Sequence, residues 1–146
     1  MKFIKLFNGT EPLTQNYIVV ARVIIGVLFI NHGIGFFDSK EMAEFADWLK
    51  KDLHFPFPLL MAYLRTGAEL FGGIMLVLGL FARLGASLIF VTMMVAGLIV
   101  DKGDFFGEGE LPFVYAAVMF SIFLAGPGKF SLDYYFSAKA NKKKNN

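Results

Sequence analysis

Apolar and polar residues come in long blocks along this chain rather than in short alternations. Four mostly apolar stretches occupy residues 16–37, 59–81, 84–100 and 111–126. A helix needs about 20 such residues to cross the hydrocarbon core of a bilayer. The pattern therefore predicts an all-α integral membrane protein built as a four-helix bundle. The segment after the first stretch behaves differently. In 39–53, Met42, Phe45, Leu49 and Leu53 recur at helical spacing while the other faces carry charge. That predicts one extra amphipathic helix between spans 1 and 2, lying at the membrane interface. Trp48 suits the headgroup layer. Ser39, with acids in the first turn, marks the start of this helix. The run His54-Phe-Pro-Phe-Pro58 ends it, because proline lacks a donor and restricts the residue before it.

The connections set how the helices follow one another. Only Ala82 and Arg83 separate the second and third stretches, which predicts a tight antiparallel hairpin turning at those residues. Residues 101–110 form an acidic, glycine-rich loop in which Glu108 and Glu110 are expected as solvated acids. The fourth stretch opens with Leu111-Pro112, a tolerated first-turn place for proline. It is short for a span. It is expected either to run on toward Phe130 through Gly126-Pro127-Gly128 or to sit where the bilayer thins. Residues 137–146 form a basic tail expected to be disordered. The first stretch is too long for a cleaved signal and has no small-residue exit, so it reads as a retained span.

Composition narrows the class. With 56% hydrophobic and 18% charged residues and a mean hydropathy of +0.58, the 146 residues read as a single membrane domain, 1–146. The chain has no cysteine, which excludes disulfides, thiol catalysis, thiolate metal sites and iron–sulfur ligation by this chain alone. A net charge of +2 gives no support for nucleic-acid binding. Its distribution says more. With four spans, both termini share a side with the 82–83 turn. That side holds eight basic residues: Lys2, Lys5, Arg83, Lys129, Lys139, Lys142, Lys143 and Lys144. The other side holds four, Lys40, Lys50, Lys51 and Lys102, with nine of the twelve acids. The positive-inside rule then predicts a multi-pass protein of the bacterial inner (plasma) membrane with both termini cytoplasmic. The Lys142–Lys144 run also suits an anionic lipid surface.

Charge inside hydrocarbon is costly, so an ionisable residue in a span is expected to be paired, buried between helices or hydrated. Arg65 and Glu69 lie inside the second stretch, four apart, hence about 40° apart around the helix and about 6 Å along it. They form either a structural ion pair or the wall of a site in which Glu69 handles a proton. By helical rise, Arg65 lies roughly 9 Å and Glu69 roughly 15 Å below the outer end of their span, with His32 roughly 8 Å below the same surface. Asn31, His32, Arg65, Glu69 and Tyr115 thus share the outer half. Arg22 lies in the inner half, its side chain either reaching toward Glu69 or snorkelling to the inner headgroups. These six are the candidate ligand-binding residues, and no catalytic residue is assigned. His32 is expected either to bond a carbonyl or Tyr115, or to contact a ligand and relay a proton. No metal is expected: the spans hold no second histidine and no His/Glu pair at ligand spacing. The glycines Gly26, Gly33, Gly67, Gly72, Gly73 and Gly79 are expected to let helices approach closely.

Several motifs follow one another in order along the chain: Arg22-x-x-x-Gly26, then His32-Gly33, then Glu69-x-x-Gly72-Gly73 and Gly79-x-x-x-Arg83, and last Gly126-Pro127-Gly128-Lys129-Phe130-Ser131-Leu132-Asp133. In this order and spacing they resemble the DoxX family of small bacterial four-span membrane proteins. One place departs from the pattern: three residues after the His-Gly glycine, where the family often has lysine, stands Phe36. The resemblance implies a four-helix inner-membrane fold and an association with quinone-linked or thiol-linked redox complexes. The leading expectation is therefore a redox-associated subunit that takes a quinone-like or other small apolar ligand in a polar intramembrane pocket. No self-contained catalytic motif is present, so electrons would come from a redox enzyme partner. Two alternatives stay open. A non-catalytic scaffold would dock soluble enzymes through 39–53 and the basic tail, or form a homo-oligomer through its glycine faces. A small-solute or lipid-binding transporter would use the same cavity, although four spans without a clear internal repeat are few for a carrier. Sensitivity of ligand binding to Glu69 marks the first reading, and sensitivity of partner recovery to the tail or 39–53 marks the scaffold.

Overall fold

The computed structural model describes residues 17–107 and 109–144. Asn16, where the first apolar stretch is expected to begin, lies outside them, as do Lys2, Lys5, Glu108 and the last two residues. Among the described residues the fold is all-α, with six helices and no strand. They are α1 (Tyr17–Gly33), α2 (Ser39–Asp52), α3 (Pro58–Leu78), α4 (Ala82–Val95), α5 (Glu110–Ala125) and α6 (Leu132–Lys144). A 3₁₀ turn, Ile34–Phe37, continues α1, and a π turn, Ala96–Val100, continues α4.

Three helical stretches are long and apolar enough to cross a membrane: Ile18–Phe37, Pro58–Leu78 and Ala82–Val100. Glu110–Ala125 is apolar but shorter. Side chains such as Ile24, Leu64, Val91 and Leu124 stand more than half exposed. Water would penalise such a surface, whereas acyl chains solvate it.

The strongest packing is α1 on α3, followed by α4 on α5, α3 on α4 and α2 on α3. Lipid gives helices no hydrophobic reason to associate, so close van der Waals approach must hold them, and small residues permit it. The Gly72-Gly73 pair of α3 serves two neighbours at once. A Cβ on Gly73 would stand 2.7 Å from the Gly26 carbonyl oxygen of α1, and one on Gly26 would stand 2.9 Å from that of Gly73. On the other face, Gly72 and Gly85 of α4 oppose each other in the same way, with carbonyl approaches of 3.0 and 2.8 Å. Around these contacts Phe29, Leu76, Ile89, Met119 and Ile122 are buried, and all but Phe29 are at most 1% exposed. Met42, Ala46 and Leu49 form a second core that seats α2 on Ala62 of α3.

Several boundaries differ from the sequence reading. Helix α2 does start at Ser39, but its cap is Asp38, whose carboxylate accepts the Lys40 and Glu41 N–H groups at 2.9 and 3.3 Å. The hairpin does not turn at Ala82-Arg83. Gly79 adopts the left-handed conformation (φ 65°) and ends α3, with its N–H donating to the Leu76 carbonyl and that of Leu80 to the Met75 carbonyl. Leu80 and Phe81, apolar and so indistinguishable from span residues by pattern, make the turn, and Arg83 falls inside the first turn of α4. Helix α5 does not run on toward Phe130, because Gly126 at φ 81° breaks it after Ala125. The tail is not disordered over 137–144, where it continues α6.

Candidate functional site

Two polar constellations form inside the apolar framework, at different levels. The first sits on α3. Glu69 lies one residue from the midpoint of this 21-residue helix and is 2% exposed. Arg65, one turn earlier, donates from Nε to Glu69 Oε1 at 3.1 Å. The pair is asymmetric: the Glu69 side chain is 3% exposed and that of Arg65 45%. The terminal amino groups of Arg65 make no hydrogen bond among the described residues. Helix α2 shields the guanidinium instead, with Cζ of Arg65 4.9 Å from the centroid of the Phe45 ring. Such a cation–π contact stabilises a charge without consuming its donors. Phe45 in turn stacks on Trp48 at 5.8 Å and 13°.

The α1–α3 contact brings His32 to this level. Gly33 packs directly on the backbone of Leu70, leaving no room for a Cβ, and so places its neighbour His32 within electrostatic range of Glu69. His32 does not bond Tyr115 as one expectation had it. The buried Phe29 ring stands between them, 6.1 Å from His32 and edge-on to Tyr115 at 5.3 Å. Tyr115 is half-buried, and Asn31 and His32 are exposed on the α1 surface. The structure therefore pairs Arg65 with Glu69, sets His32 within electrostatic range of Glu69, and links Tyr115 to His32 only through the Phe29 ring. Asn31 makes no side-chain hydrogen bond among the described residues. Phe45 and Phe29 belong to the site and were not singled out from the sequence. The signal for Phe45 was its place on the apolar stripe of 39–53, the face that had to meet the second span.

Arg22 belongs to the second constellation. It neither reaches Glu69 nor snorkels to headgroups. It is 1% exposed, and its guanidinium donates to the carbonyls of Pro127 and, at 2.9 Å, Phe130. Its plane lies where a side chain on Gly79 would have to go. Asp133 completes the arrangement. Its two carboxylate oxygens accept the Phe81 and Ala82 N–H groups at 2.9 and 3.1 Å, capping α4, while its own N–H donates to the Gly79 carbonyl at 3.0 Å. Ser131 caps α6 by accepting the Tyr134 N–H at 3.1 Å. Arg22, Gly79, the 126–131 loop and Asp133 thus form one clasp that ties α1, the α3–α4 turn and the segment after α5 together.

Chemically, the clasp is closed apart from the buried Nε of Arg22, whereas the α3 site keeps open donors. Arg65 has spare donors beside an aromatic ring, Glu69 has a carboxylate shielded from solvent, and His32 stands within electrostatic range of Glu69. That set can hydrogen-bond a carbonyl oxygen, stabilise an anion and pass a proton.

Comparison with known proteins follows the same outline. The DoxX family model matches residues 17–102, a range that includes Arg22, His32, Arg65, Glu69 and Gly79. A Bacillus subtilis (strain 168) protein named "Putative oxidoreductase CatD" is 29% identical over 126 residues, covering 84% of this chain and 90% of its own. An uncharacterized protein of Haemophilus influenzae is 26% identical over 148 residues, covering 90% of this chain and 99% of its own. No solved structure matches the chain.

Proposed function

This chain belongs to the DoxX family of membrane proteins, and from that premise we propose that it is a redox-associated subunit binding a quinone-like ligand beside Arg65 and Glu69. The ligand is flat and apolar, entering between helices whose walls are Phe and Met. Arg65 donates to a ligand carbonyl through the amino groups that Glu69 leaves unused, and it stabilises the anion formed on reduction. Glu69, with His32 nearby, supplies the protons. Two electrons and two protons convert a quinone to its quinol, and the electrons are assigned to a partner oxidoreductase. The likeness to a relative named as an oxidoreductase supports this class of chemistry.

The same reading places α1, α3, α4 with its π turn, and α5 across the bacterial inner membrane as a four-span bundle. Helix α2 lies at the outer interface, and both termini are cytoplasmic. The charge asymmetry between the two ends supports that orientation.

One observation carries the proposal: a buried mid-helix carboxylate is held to an arginine that is half open and still has donors to give. Helix α2 supplies the readout. Trp48 is the only tryptophan of the chain, and it stacks on the ring that covers Arg65. Titration with a short-chain quinone in nanodiscs should quench Trp48 saturably. Arg65→Gln and Glu69→Gln should each weaken binding about tenfold, the loss of roughly 1.4 kcal/mol expected of one charge-assisted hydrogen bond. Identical titration curves for wild type and both variants would defeat the proposal and favour the scaffold reading.

A further inference from the structure

An open groove lies away from Glu69, at the clasp end, between the start of α4 and the first turns of α6. Its walls are apolar and unusually open: Phe81 is 62% exposed, Phe136 55% and Leu84 51%. Arg83 and Ser137 also line it. The acid in the groove, Asp133, is already committed, since both its oxygens accept backbone N–H groups of the α4 cap. Arg83 makes no ion pair among the described residues.

Position and charge select the occupant. The last turn of α3 and the first of α4 meet here, so the groove opens where spans leave hydrocarbon and lipid phosphates begin. Among the described side chains, this end of the chain carries Arg83, Lys129 and Lys139 against Asp133, whereas the sequence segments 38–53 and 101–110 together hold nine acids and four lysines. The exposed Tyr134 and Tyr135 add the aromatic residues that favour the headgroup layer. A dissolved anion would have no use for the Phe81, Leu84 and Phe136 walls, and a zwitterionic lipid would not answer the excess of positive charge.

We propose that this groove is a binding site for an anionic phospholipid. Arg83 takes the headgroup phosphate, one acyl chain lies along Leu84 and Phe81, and Phe136 closes over it from α6. The occupied groove holds α6 flat on the membrane surface. The site is independent of the ligand site at Glu69, so either can fail without the other.

The full-length chain, purified in mild detergent and offered phosphatidylglycerol or phosphatidylcholine, tests this by native mass spectrometry. Wild type should retain phosphatidylglycerol about tenfold better than phosphatidylcholine. Arg83→Gln removes the cation, and Ser137→Trp fills the groove without altering charge. Each should bring phosphatidylglycerol down to the phosphatidylcholine level while circular dichroism shows unchanged helix content. Equal retention of the two lipids by wild type would overturn the proposal. So would undiminished phosphatidylglycerol binding in either variant, or recovery of a soluble protein on this face in place of lipid.

Discussion

At the scale of single residues, three charges sit within the apolar stretches, and each is accommodated differently. Glu69 is buried and paired, Arg65 is half open and shielded by an aromatic ring, and Arg22 is buried against backbone carbonyls. The first two were legible in the sequence because an i, i+4 spacing on a helix puts opposite charges within reach. Arg22 was not. Its acceptors are carbonyls more than a hundred residues away, and a backbone carbonyl carries no residue-type signal. The clasp nevertheless makes a firm prediction. Removing the guanidinium leaves two acceptors unsatisfied, so Arg22→Met should destabilise the chain by about 2–4 kcal/mol in detergent unfolding. Arg22→Lys should recover less than half of that, because one ammonium cannot reproduce a planar fork bridging two carbonyls. Unfolding of Arg22→Met at the wild-type midpoint would show that the clasp contributes nothing.

At the scale of elements, the apolar stretches located the helices well and their ends poorly. Period and length identify a helix, but an end depends on one backbone conformation. Gly79 and Gly126 each supply a positive φ that stops a helix inside or beside an apolar run, and nothing in the hydropathy marks which glycine will do so. Gly72 and Gly73 are in the same run and keep helical geometry, because their missing side chains serve packing on two sides. The element ends also carry the topology. The loop 101–107 and the helix α6 lie at opposite ends of the spans, and a chain without cysteine accepts single reporters cleanly. Phe106, 97% exposed, is a good reporter position for the first end and Lys139, also exposed, for the second. In intact cells an impermeant maleimide should label Phe106→Cys at once and Lys139→Cys only after lysis. The reverse pattern would invert the orientation, and labelling of both would break the four-span arrangement.

At the scale of the whole molecule, the packing separates support from chemistry. The clasp closes one end, and among the described residues the Nε of Arg22 is the one buried side-chain polar atom left without a partner. The middle of α3 keeps a carboxylate and a cation whose donors are not all used. Small residues bring α1, α3 and α4 together tightly enough that this pair is walled by helix rather than exposed whole to acyl chains. The account stands on Glu69 taking part in the chemistry of a bound ligand rather than merely neutralising Arg65. Infrared difference spectroscopy during electrochemical reduction of a quinone bound in nanodiscs addresses that directly. The account predicts a carboxyl band that changes with reduction in the wild type and is absent in Glu69→Gln. Superimposable spectra from the two proteins would contradict it.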